Sequence, residues 1–373
     1  MSFSLHIGDS AAARCRGDSN DDNGMMNAAV VEAYGSIRWK RVPRPAVSGR
    51  EVLVRVTHAS ICGSDQHVLS GEMHPRTRLP LIPGHEFAGL VEECGPGAAR
   101  FRKGDRVTVD PVIWCGQCPA CRLGHHPACA YLQVIGIDRD GGFAEFVSVP
   151  EDRVHPVPAD LTPQQSALIE VMSVGFHALN RSGLKAGDTA AVWGAGKIGQ
   201  CILQACRTVT DKPLFIVDVL DSRLQTAARA VPGCITINAG KTDAVRAVRE
   251  ATGGWGADVA FEAVGHETEI PGSVPPVRAC IQVIRGGGTV CVLGLSGRPT
   301  ALVMRELILK EARIAASRVS HGEFPGAIEQ IRKGTVHPER LVTDIIGPER
   351  IQEAFAWLDR DPSGHLKIIL EIG

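Results

Sequence analysis

The sequence predicts a two-part α/β protein, a β-rich domain followed by a doubly wound domain with a parallel sheet. From Ala28 to about Pro158, short runs of alternating polarity are separated by Gly, Pro and Asp, the pattern of half-buried strands. From about Ser166, near-continuous apolar strands alternate with helical stretches, the pattern of a parallel sheet covered on both faces. The first of those strands runs into Gly194-Ala-Gly196-Lys-Ile-Gly199, a glycine turn that opens a helix. A chain of 373 residues has room for two or three domains at about 150 residues each.

In chain order, residues 1–24 mix Arg14 and Arg16 with Asp9, Asp18, Asp21 and Asp22 and lack an apolar core. They are expected to be a disordered tail rather than a signal peptide or an acid-poor presequence, with Met25 or Met26 as a candidate start. Glu51–Val56 and Asp105–Val109 read as strands of the first domain. The second opens with an apolar helix, then the strand Asp188–Trp193, the glycine turn and a helix Lys197–Thr208. The strand Leu214–Asp218, a helix Ser222–Ala230 and strands Asp258–Glu262 and Thr289–Leu293 follow. After Ser320, helices near Pro325–Lys333 and Pro348–Leu358 and a strand Leu366–Glu371 complete the chain, with no internal repeat.

Composition excludes several classes. Lys and Arg number 40 against 41 Asp and Glu, so no cationic excess attracts nucleic acid or an anionic membrane surface. Hydrophobic residues make 44% and charged residues 22%, ordinary globular usage, and no apolar run approaches the roughly 18 residues of a membrane span. Twelve cysteines are too few for a disulfide scaffold, and four of them are bunched, which predicts a metal site and a reducing, cytoplasmic setting.

The glycine turn carries the first chemistry. Gly194 permits the tight turn, Gly196 lets the backbone approach a pyrophosphate, and Gly199 allows close helix packing, with the helix N-terminus facing the phosphates. Ala195, Lys197 and Ile198 complete the expected loop. Asp218 ends the next strand, 19 residues beyond Gly199, where a carboxylate accepts from the ribose hydroxyls and repels a 2′-phosphate. NAD is therefore expected over NADP, with Arg223 on the following helix as a further cofactor residue.

Cys115-x2-Cys118-x2-Cys121-x7-Cys129 presents four thiolates within 15 residues, a fit to tetrahedral zinc with no position left for water or substrate. A disulfide set, an iron–sulfur cluster and a nucleic-acid-binding zinc ribbon are the competing readings. His125 and His126 lie in the same lobe and read as surface, since four thiolates already complete the metal. Two further polar islands, Cys62-Gly-Ser64-Asp-Gln-His67 and Gly84-His85-Glu86, read as ligand loops. One Cys, one His and one or two carboxylates leave zinc a position for an alcohol oxygen, although a single Cys or His is more often core or surface than ligand.

These motifs carry a resemblance. Cys62-Gly-Ser-Asp-x-His67, Gly84-His-Glu-Phe-Ala-Gly89, Gly104-Asp-Arg-Val107, the four-cysteine lobe, Gly141-Gly-Phe-Ala-Glu145 and the glycine loop resemble, in order and spacing, the zinc-dependent medium-chain alcohol dehydrogenases. Glu170-Val-Met-Ser-Val174 resembles the Glu-Pro-Leu-Ser-Val segment of the sorbitol (polyol) dehydrogenase branch, with Val171 in place of proline. The resemblance implies a GroES-like catalytic domain over residues 25–174, with the zinc lobe at 112–130. It implies a Rossmann domain over 175–319 and a return to the catalytic domain over 320–373. It further implies a catalytic zinc on Cys62, His85 and Glu86, with Glu170 bound directly or through water and acting as a possible acid/base. One structural zinc would be held by Cys115, Cys118, Cys121 and Cys129. Ser64 and His67 resemble the family's proton relay, and Val264, Gly265, Leu293, Gly294 and Leu295 the backbone that meets the nicotinamide. Arg318 falls near an arginine of the polyol pocket, with a salt bridge as the alternative. The implied activity is hydride transfer between NAD(H) and a secondary alcohol of a polyol, cyclitol or sugar-like substrate. A threonine 3-dehydrogenase-type activity and a non-enzymatic scaffold are the alternatives. Family members are dimers or tetramers, so a homo-oligomer, a tetramer, is expected.

Overall fold

The computed structural model describes residues 24–265, 274–297 and 299–373. Of the tail, residues 1–23 lie outside the described residues.

The β-rich part is built on a sheet of seven strands. Glu51–Ser60 and Glu86–Cys94 lie at its centre, with Arg106–Val109 and Val154–Pro156 to one side. Phe146–Pro150 also pairs with Glu51–Ser60. Val52, Val54 and Val56 point by period two into a core that holds Phe87 and Phe143, both fully buried. Truncating such a phenylalanine to Ala costs about 3–5 kcal/mol. On the other side the sheet is completed by the chain's last strand, Lys367–Glu371, which runs antiparallel to Glu51–Ser60 and parallel to Val342–Ile346. The C-terminal segment therefore returns to the first domain and brings Lys367 near the end of Glu51–Ser60. A short ladder, Val112–Ile113 with Gln133–Val134, closes the base of the four-cysteine lobe.

One predicted loop is a helix. Gly63–Ser70 is α-helical, with Cys62 at its N-cap and Gly71 at its end in the left-handed region, φ 85°. Asp65 supplies what the sequence reading missed: its Oδ2 accepts from the Cys62 backbone N–H at 2.8 Å and ties off the helix start.

The second sheet has six parallel strands in the order Ile235–Asn238, Leu214–Asp218, Ala190–Trp193, Ala257–Glu262, Ile284–Val292, Arg313–Ala316. The first of them in sequence, Ala190–Trp193, lies in the middle. The winding reverses beside it, where α/β sheets form their ligand crevice. Helices Lys197–Arg207 and Asp221–Ala230 bury Ile202, Leu203 and Leu224 against one face. Helices Ala244–Ala251 and Pro276–Val283 bury Val248 and Ile281 against the other. Among the described residues no helix is long and apolar enough to cross a membrane.

Helix Ile169–Ser182 joins the two sheets. Gly175 lies so close to the Cys201 backbone that a Cβ would fall 2.8 Å from its carbonyl carbon, so the helix packs directly on Lys197–Arg207. Leu168, Ile169, Met172 and Cys201 then share a core with Phe324, Ala327 and Ile331 of the helix Phe324–Arg332.

His155 stacks on Phe324 at this junction, with ring centroids 4.8 Å apart. Burial, with the charges of Arg153 and Arg100, lowers it to about 4. The folded pKa thus lies below the unfolded value near 6.5. Its stabilisation is complete above pH 6.5 and is lost as pH falls towards 4, because the unfolded chain takes up the proton first. His155→Phe is expected to flatten the acid limb of stability between pH 6.5 and 4, read as urea midpoints, and an unchanged limb would remove His155 from the acid response.

Candidate active site and metal centres

Gly84 shapes the entry to the first site. Its φ is +97°, and a Cβ there would collide with the Phe143 ring, so only glycine delivers His85 to this place. Cys62, at the end of Glu51–Ser60, then meets His85 and Glu86, at the start of Glu86–Cys94. One Sγ, one imidazole nitrogen and one carboxylate oxygen from the three lie within 4.8 Å of one another. His85 Nδ1 is 3.3 Å from Asp65 Oδ1, a charge pair rather than an aligned hydrogen bond, and Nε2 is 3.2 Å from Ser64 Oγ. Burial opposes the charge on His85, but the carboxylate of Asp65 and the thiol of Cys62 raise its pKa well above the usual imidazole range. An imidazole held by a carboxylate is the usual support of a metal-ligating histidine.

Glu86 is wholly buried and pairs through Oε2 with the equally buried ammonium of Lys367. Its other oxygen, Oε1, is buried with no hydrogen-bond partner among the described residues. An orphaned carboxylate oxygen beside a thiol and an imidazole is a donor set that a zinc ion fits. Glu170, on the helix Ile169–Ser182, is 5% exposed and is pushed up to about 8, first by burial, with Glu86 and Cys62 adding to it. Sequence reasoning missed Lys367 and Asp65. The signal for Lys367 was a lone lysine within the apolar run Leu366 to Leu370, all of which is buried.

The remaining residues of the expected relay and pocket lie differently. His67 is one helical turn beyond Ser64, 40% exposed, with Nδ1 2.7 Å from Glu72 Oε2. Arg318 donates to the Pro127 carbonyl at 3.2 Å in the four-cysteine lobe and, among the described residues, forms no salt bridge and lies outside the cluster. His126, read as surface, is partly buried: its Nδ1 lies 2.9 Å from His321 Nε2 and both rings pack on Trp114. His125 is exposed.

Cys115, Cys118, Cys121 and Cys129 converge with their sulfurs within 4.8 Å of one another. Cys115 and Cys129 are 3.6 Å apart, too far for a disulfide, and all four are free. Backbone N–H groups of Cys118 and Cys115 aim at sulfur, and those of Ala130 and Cys121 push the Cys118 thiol down to about 6. Cys115 is lowered as well, chiefly by backbone N–H groups, whereas burial and the neighbouring sulfurs push Cys121 up to about 12; four converging sulfurs, two of them held towards thiolate, fit a closed zinc site.

The glycine loop faces the cleft from the other sheet. Gly194 has φ +96°, and a Cβ on Gly199 would collide with its carbonyl, so helix Lys197–Arg207 starts against the turn. Its first N–H groups have no intrahelical partner, the feature that suits a pyrophosphate. Asp218 is committed to the loop in this structure: Oδ2 accepts from Ala195 N at 2.7 Å and Oδ1 from Val219 and Leu220. Arg223 is 3.8 Å from Asp218, and Ile198 turns to the hydrophobic cores. Lys197 points away from the loop to the carbonyl of Ile61, 3.3 Å distant. Val264 and Gly265 lie against Leu293 and Gly294, held by Glu262, which the sequence reading did not single out. Its carboxylate accepts from Val264 and Gly265 and its carbonyl from Leu293 and Gly294, and Leu295 beyond them is exposed.

A half-buried Cys beside a buried His and Glu in one domain, with a dinucleotide-type glycine loop in the other, is an arrangement that fits a metal-dependent oxidoreductase of the two-domain type. Two family models match: the alcohol dehydrogenase GroES-like domain over residues 48–159, and the zinc-binding dehydrogenase over residues 198–333. The 2-dehydro-3-deoxy-L-galactonate 5-dehydrogenase of Pseudoalteromonas atlantica is 32% identical over 86% of this chain and 91% of its own length. An alcohol dehydrogenase of Escherichia coli CFT073, complexed with NADH, superposes with a TM-score of 0.85 at 27% identity, over 94% of this chain and all of its own. A zinc-binding dehydrogenase of Sinorhizobium meliloti bound to NADP gives 0.86 at 29%, with the same coverage. The chain belongs to the zinc-type medium-chain alcohol dehydrogenase family and is an oxidoreductase.

Proposed function

We propose that the chain oxidises a secondary alcohol of a polyol, cyclitol or sugar-like substrate with NAD, or reduces the matching ketone. Its catalytic zinc is held by Cys62, His85 and Glu86 with Glu170, and its structural zinc by Cys115, Cys118, Cys121 and Cys129. The observation that carries this reading is the orphaned Glu86 Oε1 inside the Cys62–His85–Glu86 cluster, across the cleft from the glycine loop. Bound there, zinc supplies Lewis acidity to an alcohol oxygen and the dinucleotide supplies the hydride acceptor. The protein's share is positional. Asp65 orients His85, Lys367 orients Glu86, and Glu262 holds the two turns on which the nicotinamide half would rest. Glu170, whose pKa burial raises to about 8, is a group able to exchange a proton within the site. Ser64, hydrogen-bonded to His85, and His67, one helical turn further on, remain the candidates for the proton path. The galactonate relative and the Glu170–Val174 segment support the polyol-like substrate class.

We also infer a homo-oligomer. The outer strand Arg313–Ala316 is a free sheet edge among the described residues, flanked by exposed Ile308, Leu309, Met304 and Ile314, which suits a second copy.

The test is zinc content per chain together with NAD reduction at 340 nm across polyols, inositols, aminocyclitols and threonine. About two zinc per chain with turnover on a polyol or cyclitol supports the reading; turnover on threonine alone moves the chain to the amino-alcohol branch, and about one zinc with no turnover overturns both. Asp218→Gly separates the cofactors. It is expected to raise KM for NAD about tenfold and improve use of NADP, and an unmoved preference would remove Asp218 from the ribose site.

A further inference from the structure

Lys197 is the first residue of the dinucleotide helix, yet its side chain leaves the loop. Its Nζ crosses the cleft to the Ile61 carbonyl, 3.3 Å away, on the residue just before Cys62. Ile61 is itself fixed, since its N–H donates to the Ile368 carbonyl at 3.0 Å. The same Ile61 carbonyl accepts from Lys367, the partner of Glu86, also at 3.3 Å. Two ammonium groups from different domains thus share one carbonyl beside the metal cluster, using both of its lone pairs.

This is not where a lysine goes by default. Ordering the side chain gives up about 1.5–2 kcal/mol of rotamer freedom, and lysines are almost never buried unless paired. Burial and the facing Lys367 lower its pKa to about 8, so the placement is held against an electrostatic penalty. A cation serving the pyrophosphate would stay at the N–H groups of its own helix.

We propose that Lys197 is a positioning residue that ties the dinucleotide loop to the segment Ile61–Cys62, and so fixes the nicotinamide side of the cleft relative to the metal side. Hydride transfer needs its reacting atoms about 3–3.5 Å apart, and a misplacement of about 1 Å is worth about 100-fold in rate. The two groups belong to different domains, and the tether joins them through a 3.3 Å contact. The catalytic part of this inference rests on the function proposed above; the tether itself does not.

The experiment compares the full wild-type chain with Lys197→Met, which keeps the stem and removes the ammonium, and with Lys197→Arg. In the ligand-free protein, amide hydrogen exchange over residues 61–66 and 197–201 is expected to quicken about threefold or more in Lys197→Met and to return towards wild type in Lys197→Arg. NADH affinity, read by fluorescence, is expected to stay within about threefold. With an alcohol that the wild type oxidises, kcat is expected to fall about tenfold or more at near-constant KM for NAD. Exchange equal to wild type in both segments overturns the tether, and so does an NADH affinity that falls more than about tenfold with exchange unchanged, which makes Lys197 a phosphate cation. Should Lys197→Met not fold, Lys197→Gln gives the same readings. If no alcohol is turned over, the functional reading fails while the exchange data still decide the tether.

Discussion

Cys62→Ser is expected to lower turnover about 1,000-fold or more, equivalent to about 4 kcal/mol of lost transition-state stabilisation, while the fold stays intact. The residue caps a helix whose start is secured by Asp65 through the backbone of Cys62, and that bond survives the change of side chain. What is removed is the one soft donor of the Cys62–His85–Glu86 cluster; a serine hydroxyl, neutral at pH 7, is a poor replacement for a thiolate on zinc. Zinc content should fall from about two to about one per chain, with circular dichroism and melting temperature close to wild type. Cys118→Ser should do the opposite. It opens the four-sulfur set, so the lobe loosens and the melting temperature falls, and the lobe becomes the first site of limited proteolysis. Equal loss of fold in both variants would refute the division into a catalytic and a structural site.

The convergence of the four cysteines was legible in the sequence because it depends on local spacing. Four cysteines within 15 residues close one site by themselves, and a glycine turn between a strand and a helix announces itself without tertiary information. The order of alternating strands and helices likewise predicted the parallel sheet, since apolar continuity reflects burial on both faces. Other parts depend on contacts between distant segments. Gly63–Ser70 looked like a loop because its eight residues are mostly polar and only Val68 and Leu69 face the core with Asp65. The commitment of Asp218 to Ala195 N, 23 residues away, follows from the pairing of their two strands in one sheet, and the turn of Lys197 towards Ile61, 136 residues away, from how the two sheets are set against each other. His126 read as surface because its partner, His321, is 195 residues on. Lys367 was the largest omission: nothing in its own strand explains a lysine among buried Leu and Ile, and only the return of the last strand to the first sheet reveals Glu86 as the reason.

Lys367→Met should therefore be the most destabilising single substitution near the site. The pair is fully buried on both sides, and removing one partner of such a pair leaves an uncompensated charge, at about 3–5 kcal/mol. The sign of its pH dependence follows. In the wild type burial raises the Glu86 pKa, but the ammonium of Lys367 outweighs it and holds the carboxyl below its ordinary 4.5, so the pair stabilises the fold above that pH. Without Lys367 burial dominates and the folded pKa lies above 4.5, so Glu86 destabilises the fold increasingly as pH rises. The gap between wild type and variant, measured by urea unfolding of the zinc-free protein, should be wider at pH 8 than at pH 5. Saturating zinc should narrow it, since a cation ligated by Cys62, His85 and Glu86 supplies the missing counter-charge and binds only the folded chain. Lys367→Met combined with Glu86→Gln should recover much of the loss in the zinc-free protein but gain little from zinc. A gap that zinc leaves unchanged would mean that Glu86 faces Lys367 alone and takes no part in holding the metal.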